Sequence, residues 1–454
     1  METHPLQTIL KRRTAGEQVG IYSACTAHPL VLEAVIEAAR DSGTYALIEA
    51  TANQVDQFGG YTGMTPADFA QFVRRIATEA GLPAERLILG GDHLGSLVWH
   101  DLPEAQAMAN AEELIRAYVQ AGFSKIHLDT SMRLGDDDPE ASLSDATIAR
   151  RAAQLAAVAE ETFAKMQAGS SDACNADFDG ERMAPVYVIG SEVPVPGGAH
   201  DNEESVSITT PEHFTQTYEA FKTAFMQQGL RDAFERIVAI VVQPGVEFSD
   251  ETVTAYNRAK AAALTAELAH YPDIVFEGHS TDYQTRDHLR QMVEDGIAIL
   301  KVGPALTFAL REALFVLSDI EDAIHQTDPE RIPQPSNFKQ VLLDAMRADP
   351  QYWEQHYRGT DEEIEHKLLY SLSDRCRYYL ANPAVQDSIA VLLDNIDSLY
   401  MPDEISEAHL PDQYQRIKEG KLPLSASALI KSHIKDRITD YLYAVDAVGR
   451  LQCI

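Results

Sequence analysis

The sequence predicts an α/β fold: a closed (β/α)8 TIM barrel with an additional helical C-terminal domain. Three observations predict it. Eight short β-branched runs, at residues 19–24, 45–49, 87–92, 125–129, 186–192, 237–243, 274–279 and 297–301, alternate with stretches of helical periodicity. That order is the pattern of a closed parallel barrel. Most of these runs lead into polar residues, and barrel enzymes carry their chemistry at the C-terminal ends of the strands. The 454 residues suffice for one barrel of roughly 250–330 residues plus an appended unit.

Taken in order, residues 8–17 read as a leading helix that closes the barrel bottom. The first strand is followed by a helix over 31–40. After the second strand comes a loop over 51–65, TANQVDQFGGYTGMT. Its end predicts a helix start, with Thr65 as N-cap, Pro66 at the first position and Asp68 as an early acid. Insertions at 132–145 and 167–184 interrupt the spacing, and the second, rich in Ser, Asp and Ala, reads as a surface loop. The segment 193–210 opens Pro194-Val195-Pro196-Gly197-Gly198, a stiff arm with a hinge and so a candidate lid. The barrel is expected over 1–330. Beyond it, helices are expected at 337–347, 360–380, 384–396 and 425–447, so 331–454 reads as a helical domain or a cap on one barrel face.

Composition narrows the function classes. Net charge is −33, from 37 Lys and Arg against 70 Asp and Glu. Such an acidic chain argues against nucleic acid, whose phosphates need basic surface, although one local cation or helix start suffices for a sugar phosphate. No apolar run approaches the ~20 residues of a membrane span. No basic-then-apolar leader opens the chain, so a cytoplasmic location is expected. Cys25, Cys174, Cys376 and Cys453 are scattered, without the paired spacing of a disulfide framework or zinc knuckle.

The most informative stretch is LILGGDHLG at 87–95. Its glycines let backbone approach a ligand. His93 can then act as a metal ligand and Asp92 as a proton carrier. The plainer alternative is a strand-end Asp that caps a turn beside a His satisfied by backbone. In the fourth strand Lys125, His127 and Asp129 share one face. They are either a structural ion pair below the site or part of a metal or substrate site. Glu192, Gln243, Glu277 and His279 close the fifth, sixth and seventh strands. Such a mixture of imidazole, carboxylate and amide suits a divalent ion. Lys301, followed by Gly303 and a helix start, sits where barrels commonly hold phosphate; Schiff-base chemistry is its alternative.

Long stretches carry a family resemblance: SACTAHPL (23–30), IEATANQVDQFGGYTGMTPA (48–67), LILGGDHLG (87–95), AGFSKIHLDTSM (121–132), YVIGSEVPVPGG (187–198), VAIVVQPGVEF (238–248), HSTDYQ (279–284), ILKVGPALTFALR (299–311) and YSLSDRCRYY (370–379). The chain resembles the GatZ/KbaZ group. That group is described as the non-catalytic subunit of D-tagatose-1,6-bisphosphate aldolase and is sometimes called tagatose-6-phosphate kinase. It is similar in turn to the zinc-dependent class II aldolases.

The resemblance implies that Asp92 is a proton donor, His93 a metal ligand and Glu192 a mobile catalytic carboxylate. Two further aldolase zinc histidines fall near Gln243 and Glu277, where this chain has no His, though His279 lies two residues on. The aldolase phosphate-site Asn and Asp are replaced around Gly303 and Ala305. The expected metal set is therefore His93, Glu192, Gln243 and His279, holding a divalent ion such as zinc, manganese, magnesium, cobalt or nickel. Catalysis falls to Asp92 and Glu192. Substrate contacts are expected from Ser23, Asn53, Gln54, Asp129, Ser131, Glu277, Ser280 and Lys301.

The function expected is interconversion of tagatose and fructose 6-phosphates at C4, by retro-aldol cleavage and re-addition. The alternative is a stabilising subunit of a class II tagatose-bisphosphate aldolase. A ketohexose or its phosphate is the expected substrate, and an aldolase chain or a further copy of this chain the expected protein partner. A kinase finds little support. There is no G-x-x-x-x-G-K-[ST] loop, and Gly59-Gly60-Tyr61-Thr62-Gly63 lacks the lysine.

Overall fold

A computed structural model describes residues 3–169, 183–191, 206–399 and 410–445. Eight parallel strands close into a barrel: β1 (Ile21–Cys25), β2 (Ala46–Thr51), β3 (Leu87–Gly95), β4 (Lys125–Asp129), β5 (Val186–Ile189), β6 (Ile237–Val242), β7 (Val275–Gly278) and β8 (Ile297–Val302). β1 closes the ring by pairing with β8, Ser23 against Lys301. The loop after β6 carries a small antiparallel hairpin of Glu247–Phe248 and Val253–Thr254. The (β/α)8 architecture is the one the alternating pattern predicts.

The barrel bottom is apolar. Ile21, Leu47, Ile88, Val186 and Val188 pack with Leu6 and Leu10 of the leading helix, Pro5–Thr14. This helix starts three residues before the expected position. His4 caps it by accepting from the Leu6 N–H, and Pro5 occupies the first turn, where a missing N–H costs nothing. The helix after β2, Pro66–Ala80, has the predicted start: Thr65 and Asp68 form a reciprocal capping box.

The upper barrel departs from simple alternation at one place. Between β3 and β4 the register shifts, with Gly91 opposite Ile126 but Leu94 opposite Leu128. β3 therefore carries one extra residue, a bulge, at Asp92-His93. His93 adopts a left-handed backbone, φ 49°. Successive strand residues normally face opposite sides; the bulge turns both Asp92 and His93 inward. The glycines of this strand make room for protein rather than for ligand. A Cβ at Gly90 would lie 2.7 Å from Cγ of Glu49, and one at Gly95 would lie 1.6 Å from the Asp129 carbonyl oxygen.

The C-terminal helices share one continuous apolar core with the outer barrel helices. The last described helix, Ala426–Val445, packs on Pro29–Ser42, Arg286–Glu294 and Pro304–Thr327. Tyr441 donates to the Thr281 carbonyl and stacks at a tilt on Tyr22. The helix expected over 360–380 is broken instead. Asp361–Tyr370 ends at Ser371, and a 3-10 turn, Arg375–Tyr379, follows Asp374. Asp374 takes a left-handed backbone and pairs with Arg311 at 2.7 Å, while accepting from Thr307. That buried pair ties the break to the helix after β8. Among the described residues no helix is long and apolar enough to cross a membrane.

Candidate functional site

The site grows from β3, β4 and β7. His93, His127 and His279 face one another with ring centroids 4.9–5.3 Å apart. Carboxylates set two of these rings. His127 Nδ1 lies 2.9 Å from Asp92 Oδ1, and His279 Nε2 lies 3.0 Å from Glu277 Oε1. His127 Nδ1 also accepts the His93 backbone N–H at 3.1 Å, whereas a His279 ring that donates Nε2–H to Glu277 keeps a lone pair on its other nitrogen. His127 Nε2 is fully buried and has no hydrogen-bond partner among the described residues, a costly state unless something is bound there. One nitrogen or oxygen from each of Asp92, His127, Glu277 and His279 lies within 4.8 Å of the others. Donors around a tetrahedral ion at about 2.0–2.2 Å lie about 3.3–3.6 Å apart, so the cluster needs to contract by about 1 Å to hold one. With that contraction the donors present fit a divalent ion.

Below the histidines sits a buried charge network. Lys125 pairs with Glu49 at 2.6 Å and with Glu277 at 2.8 Å. Lys301 pairs with Glu49 and, at 2.8 Å, with Asp92. All of these groups lie inside the barrel, where charges persist only when paired. The column on β4 thus divides its roles: Lys125 forms the ion pair and His127 joins the histidines.

The network sets protonation. Burial raises the Asp92 carboxyl, but the charges of His93 and Lys301 and the bonds from His127 and His93 outweigh it, so it sits well below the usual range. Burial lowers His93, yet the adjacent Asp92 carboxylate leaves it above its ordinary value. Burial dominates at His279 and brings it down to about 4, which keeps its imidazole neutral, the ligating form. Burial lowers Lys301 too, but Asp92, Cys25, Glu49 and Glu277 hold it well above an ordinary lysine. A permanently protonated amine is no nucleophile, which disfavours the Schiff-base alternative.

Above the histidines opens a cavity of about 100 Å³. Asn53, Gln54, Asp92, His93, His279, Ser280 and Lys301 line it. Ser23 and Glu277 lie deeper and are fully buried. Asp129 accepts from the backbone and hydroxyl of Ser131, a turn at the end of β4, and reaches the site through its charge on His93. Gln243 differs from expectation. Its side-chain oxygen accepts from the Gly245 and Val246 N–H groups, which uses both lone pairs and holds the loop after β6. Glu192 lies outside the described residues, as do residues 193–205 of the candidate lid over 193–210.

Several contributors escaped the sequence. Glu49 is the hub of the charge network; its only signal is one carboxylate inside the apolar strand Ala46–Thr51. Cys25 lines the cavity with its sulfur 3.3 Å from Asp92 Oδ2. Tyr61, Arg377 and Tyr378 also line it, and the last two come from the turn where a continuous helix was expected.

The helix start after β8 is already filled. Asp282 Oδ1 accepts from the Gly303 and Ala305 N–H groups at 3.0 and 2.8 Å. Burial pushes this carboxyl up to about 6 against the pull of those bonds. The anion position that the sequence assigns near Lys301 is thus taken by the protein's own carboxylates.

A crystal structure of a probable tagatose 6 phosphate kinase from Sinorhizobium meliloti 1021 is similar throughout. It is 42% identical, covers 94% of this chain and 100% of its own, and has a TM-score of 0.82. Two other solved structures are distant. The fructuronate-tagaturonate epimerase UxaE from Cohnella laeviribosi is 12% identical over 94% of this chain and 82% of its own, with a TM-score of 0.42. The YdjI aldolase from Escherichia coli K12 is 12% identical over 85% and 96%, with a TM-score of 0.39. Neither distant likeness bears on the chemistry of the site. The family model for D-tagatose-1,6-bisphosphate aldolase subunit GatZ/KbaZ-like proteins matches residues 6–446, and the chain belongs to that family.

Proposed function

We propose that this chain is a divalent-metal-dependent ketohexose 6-phosphate 4-epimerase that interconverts tagatose and fructose 6-phosphates. The observation that carries this reading is the trio of facing histidines, two of them beside buried carboxylates, at the floor of a cavity. A purely stabilising subunit needs no such arrangement, and the unpartnered His127 nitrogen would be a cost without return.

The chemistry follows from the substrate. C4 of a ketohexose is β to the carbonyl, so its hydrogen is not acidic. The accessible route breaks C3–C4 after loss of the O4 proton, rotates the aldehyde, and re-forms the bond on its other face. His127 and His279, with His93 beside them, would hold the ion, and Asp92 and Glu277 complete the cluster. Such an ion supplies Lewis-acid polarisation of the ketone oxygen when bound. Asp92 lines the cavity as an ionised carboxylate, the state needed to take the O4 proton and return it after rotation. Lys301 keeps it ionised, and Glu49 holds Lys301 in place. In this reading Glu192, one segment beyond β5, is a second proton carrier.

The family's description as an aldolase subunit supports the second reading, a stabilising partner. One experiment separates them. Purified chain is incubated with tagatose 6-phosphate, fructose 6-phosphate and the free sugars, with and without divalent metal, and products are followed by chromatography. Epimerisation that requires metal is expected. A chain inert on every ketohexose that nonetheless raises the stability of a co-purified aldolase overturns the enzyme reading.

A further inference from the structure

A sugar phosphate needs a cation or a ring of N–H donors for its phosphoryl end, and the usual barrel position is closed here. Lys301 is bound by Glu49 and Asp92, and the helix start at Gly303 is capped by Asp282. A dianion placed there would meet three carboxylates.

One other cation lines the cavity, Arg377 on the C-terminal turn. Its surroundings differ in kind from those of Lys301. Among the described residues its guanidinium donates only to the Ser373 and Asp374 carbonyls and to the Tyr378 hydroxyl. The nearby carboxylate of Asp374 is committed to Arg311 and Thr307. In a chain with 70 acidic and 37 basic residues, no carboxylate among the described residues bonds to this cation, although the charges of Asp282 and Asp374 reach it. A guanidinium has five N–H donors, so donors remain for a ligand.

Its position is equally specific. Arg377, Tyr61, Gln54 and Cys25 form a wall shared between the cavity above the histidines and a second cavity of about 230 Å³. The second cavity continues past Arg377 between Thr26, His28, Phe72 and Leu380. The rings of Tyr61 and Tyr378 meet edge to face at 5.0 Å and tie the loop after β2 to the C-terminal turn.

The geometry points to Arg377, assisted by Tyr61, as the recognition site for a phosphate monoester. The phosphoryl end of the substrate would lie against the C-terminal turn while its carbonyl end reaches the histidines. Arginine suits this role because its planar fork meets two phosphate oxygens at once. The broken helix then has a functional meaning, since it delivers the substrate's anchor.

The identity of the ligand rests on the sugar-phosphate reading above, but the test needs no turnover. Binding of fructose 6-phosphate, fructose and inorganic phosphate is measured by calorimetry on wild type, Arg377→Lys and Arg377→Met. Wild type is expected to bind the 6-phosphate at least tenfold more tightly than the free sugar. Arg377→Met should erase that preference and Arg377→Lys should keep part of it, with affinity for free fructose unchanged. In parallel, phenylglyoxal labelling of Arg377 in wild type is followed by peptide mass spectrometry, and millimolar phosphate should slow it severalfold. This arm does not depend on any variant folding. A folded Arg377→Met protein that keeps the preference, a wild type without preference, or labelling indifferent to phosphate overturns the inference. A chain that binds phosphate through Arg377 but epimerises nothing keeps this site and removes the epimerase; epimerisation of free sugars without phosphate preference does the reverse.

Discussion

At Asp92 four donors converge on one carboxylate. His93, His127, Lys301 and the Cys25 thiol all lie within 3.3 Å of its oxygens. Asp92→Asn keeps the shape but removes the charge that would take the O4 proton in the proposed reaction. It should lower epimerisation in both directions together, roughly 10²-fold or more, the scale for a general acid–base residue, and circular dichroism should show the fold retained. Loss in one direction only would contradict a shared carbon–carbon cleavage. Metal binding makes a second prediction. His127→Ala and His279→Ala should each reduce bound divalent metal, measured by plasma mass spectrometry, and chelation of wild type should abolish turnover. Metal content unchanged in both variants would remove the histidine site. Asp92, His93 and His279 were legible because each closes or follows a β-branched run. His127 was weighed only within a column, since period two cannot tell ion pair from ligand. Arg377 was illegible, because nothing in YSLSDRCRYY shows that the helix ends at Tyr370 and that a buried Asp374 starts a turn after it.

The elements explain why such a site can be held. The bulge in β3 places a non-glycine residue in the left-handed region at His93, a strain of about 1–3 kcal/mol that persists only where surroundings fix it. The rigid floor below helps to fix it. The leading helix plugs the barrel, and His4 bonds through Nε2 to Ser124 Oγ at 3.0 Å. Burial lowers His4 from 6.5 to about 4, so it is neutral in the fold but protonated in the unfolded chain between those values. Its contribution to stability is full above pH 6.5 and falls as the pH drops toward 4, by at most about 3 kcal/mol. His4→Asn, which cannot protonate, should therefore lose less stability than wild type between pH 7 and 4.5 in urea titrations. Parallel curves for the two proteins would show that His4 is not the titrating group. The existence and order of the strands were readable from periodicity. The bulge was not, because it depends on the register against β4, a long-range pairing.

Across the whole molecule the barrel and the C-terminal helices behave as one packed body. The sequence read 331–454 as a domain or a cap because the strand signal stops there, and composition cannot show which apolar faces a helix covers. In the fold, Leu429, Ile430, Ile434, Ile438 and Leu442 of the last described helix are buried, against helices that flank β1, β7 and β8. Each such side chain is worth about 1.5–3 kcal/mol. Together they match the net stability of an ordinary domain, about 5–15 kcal/mol. Lys431 and Lys435 add ion pairs to Glu37 on the helix after β1, and Arg290 donates to the Ala444 carbonyl. A chain ended at residue 330 should thus expose this surface and give no cooperative unfolding transition, while the full chain should unfold in a single calorimetric step. Two well-separated transitions in the full chain, or a soluble and cooperatively folding 1–330 fragment, would show that the barrel stands alone. The same cut removes Arg377 and Tyr378 from the cavity wall, so stability and substrate recognition should be lost together, because the helices that cover the barrel also complete its mouth.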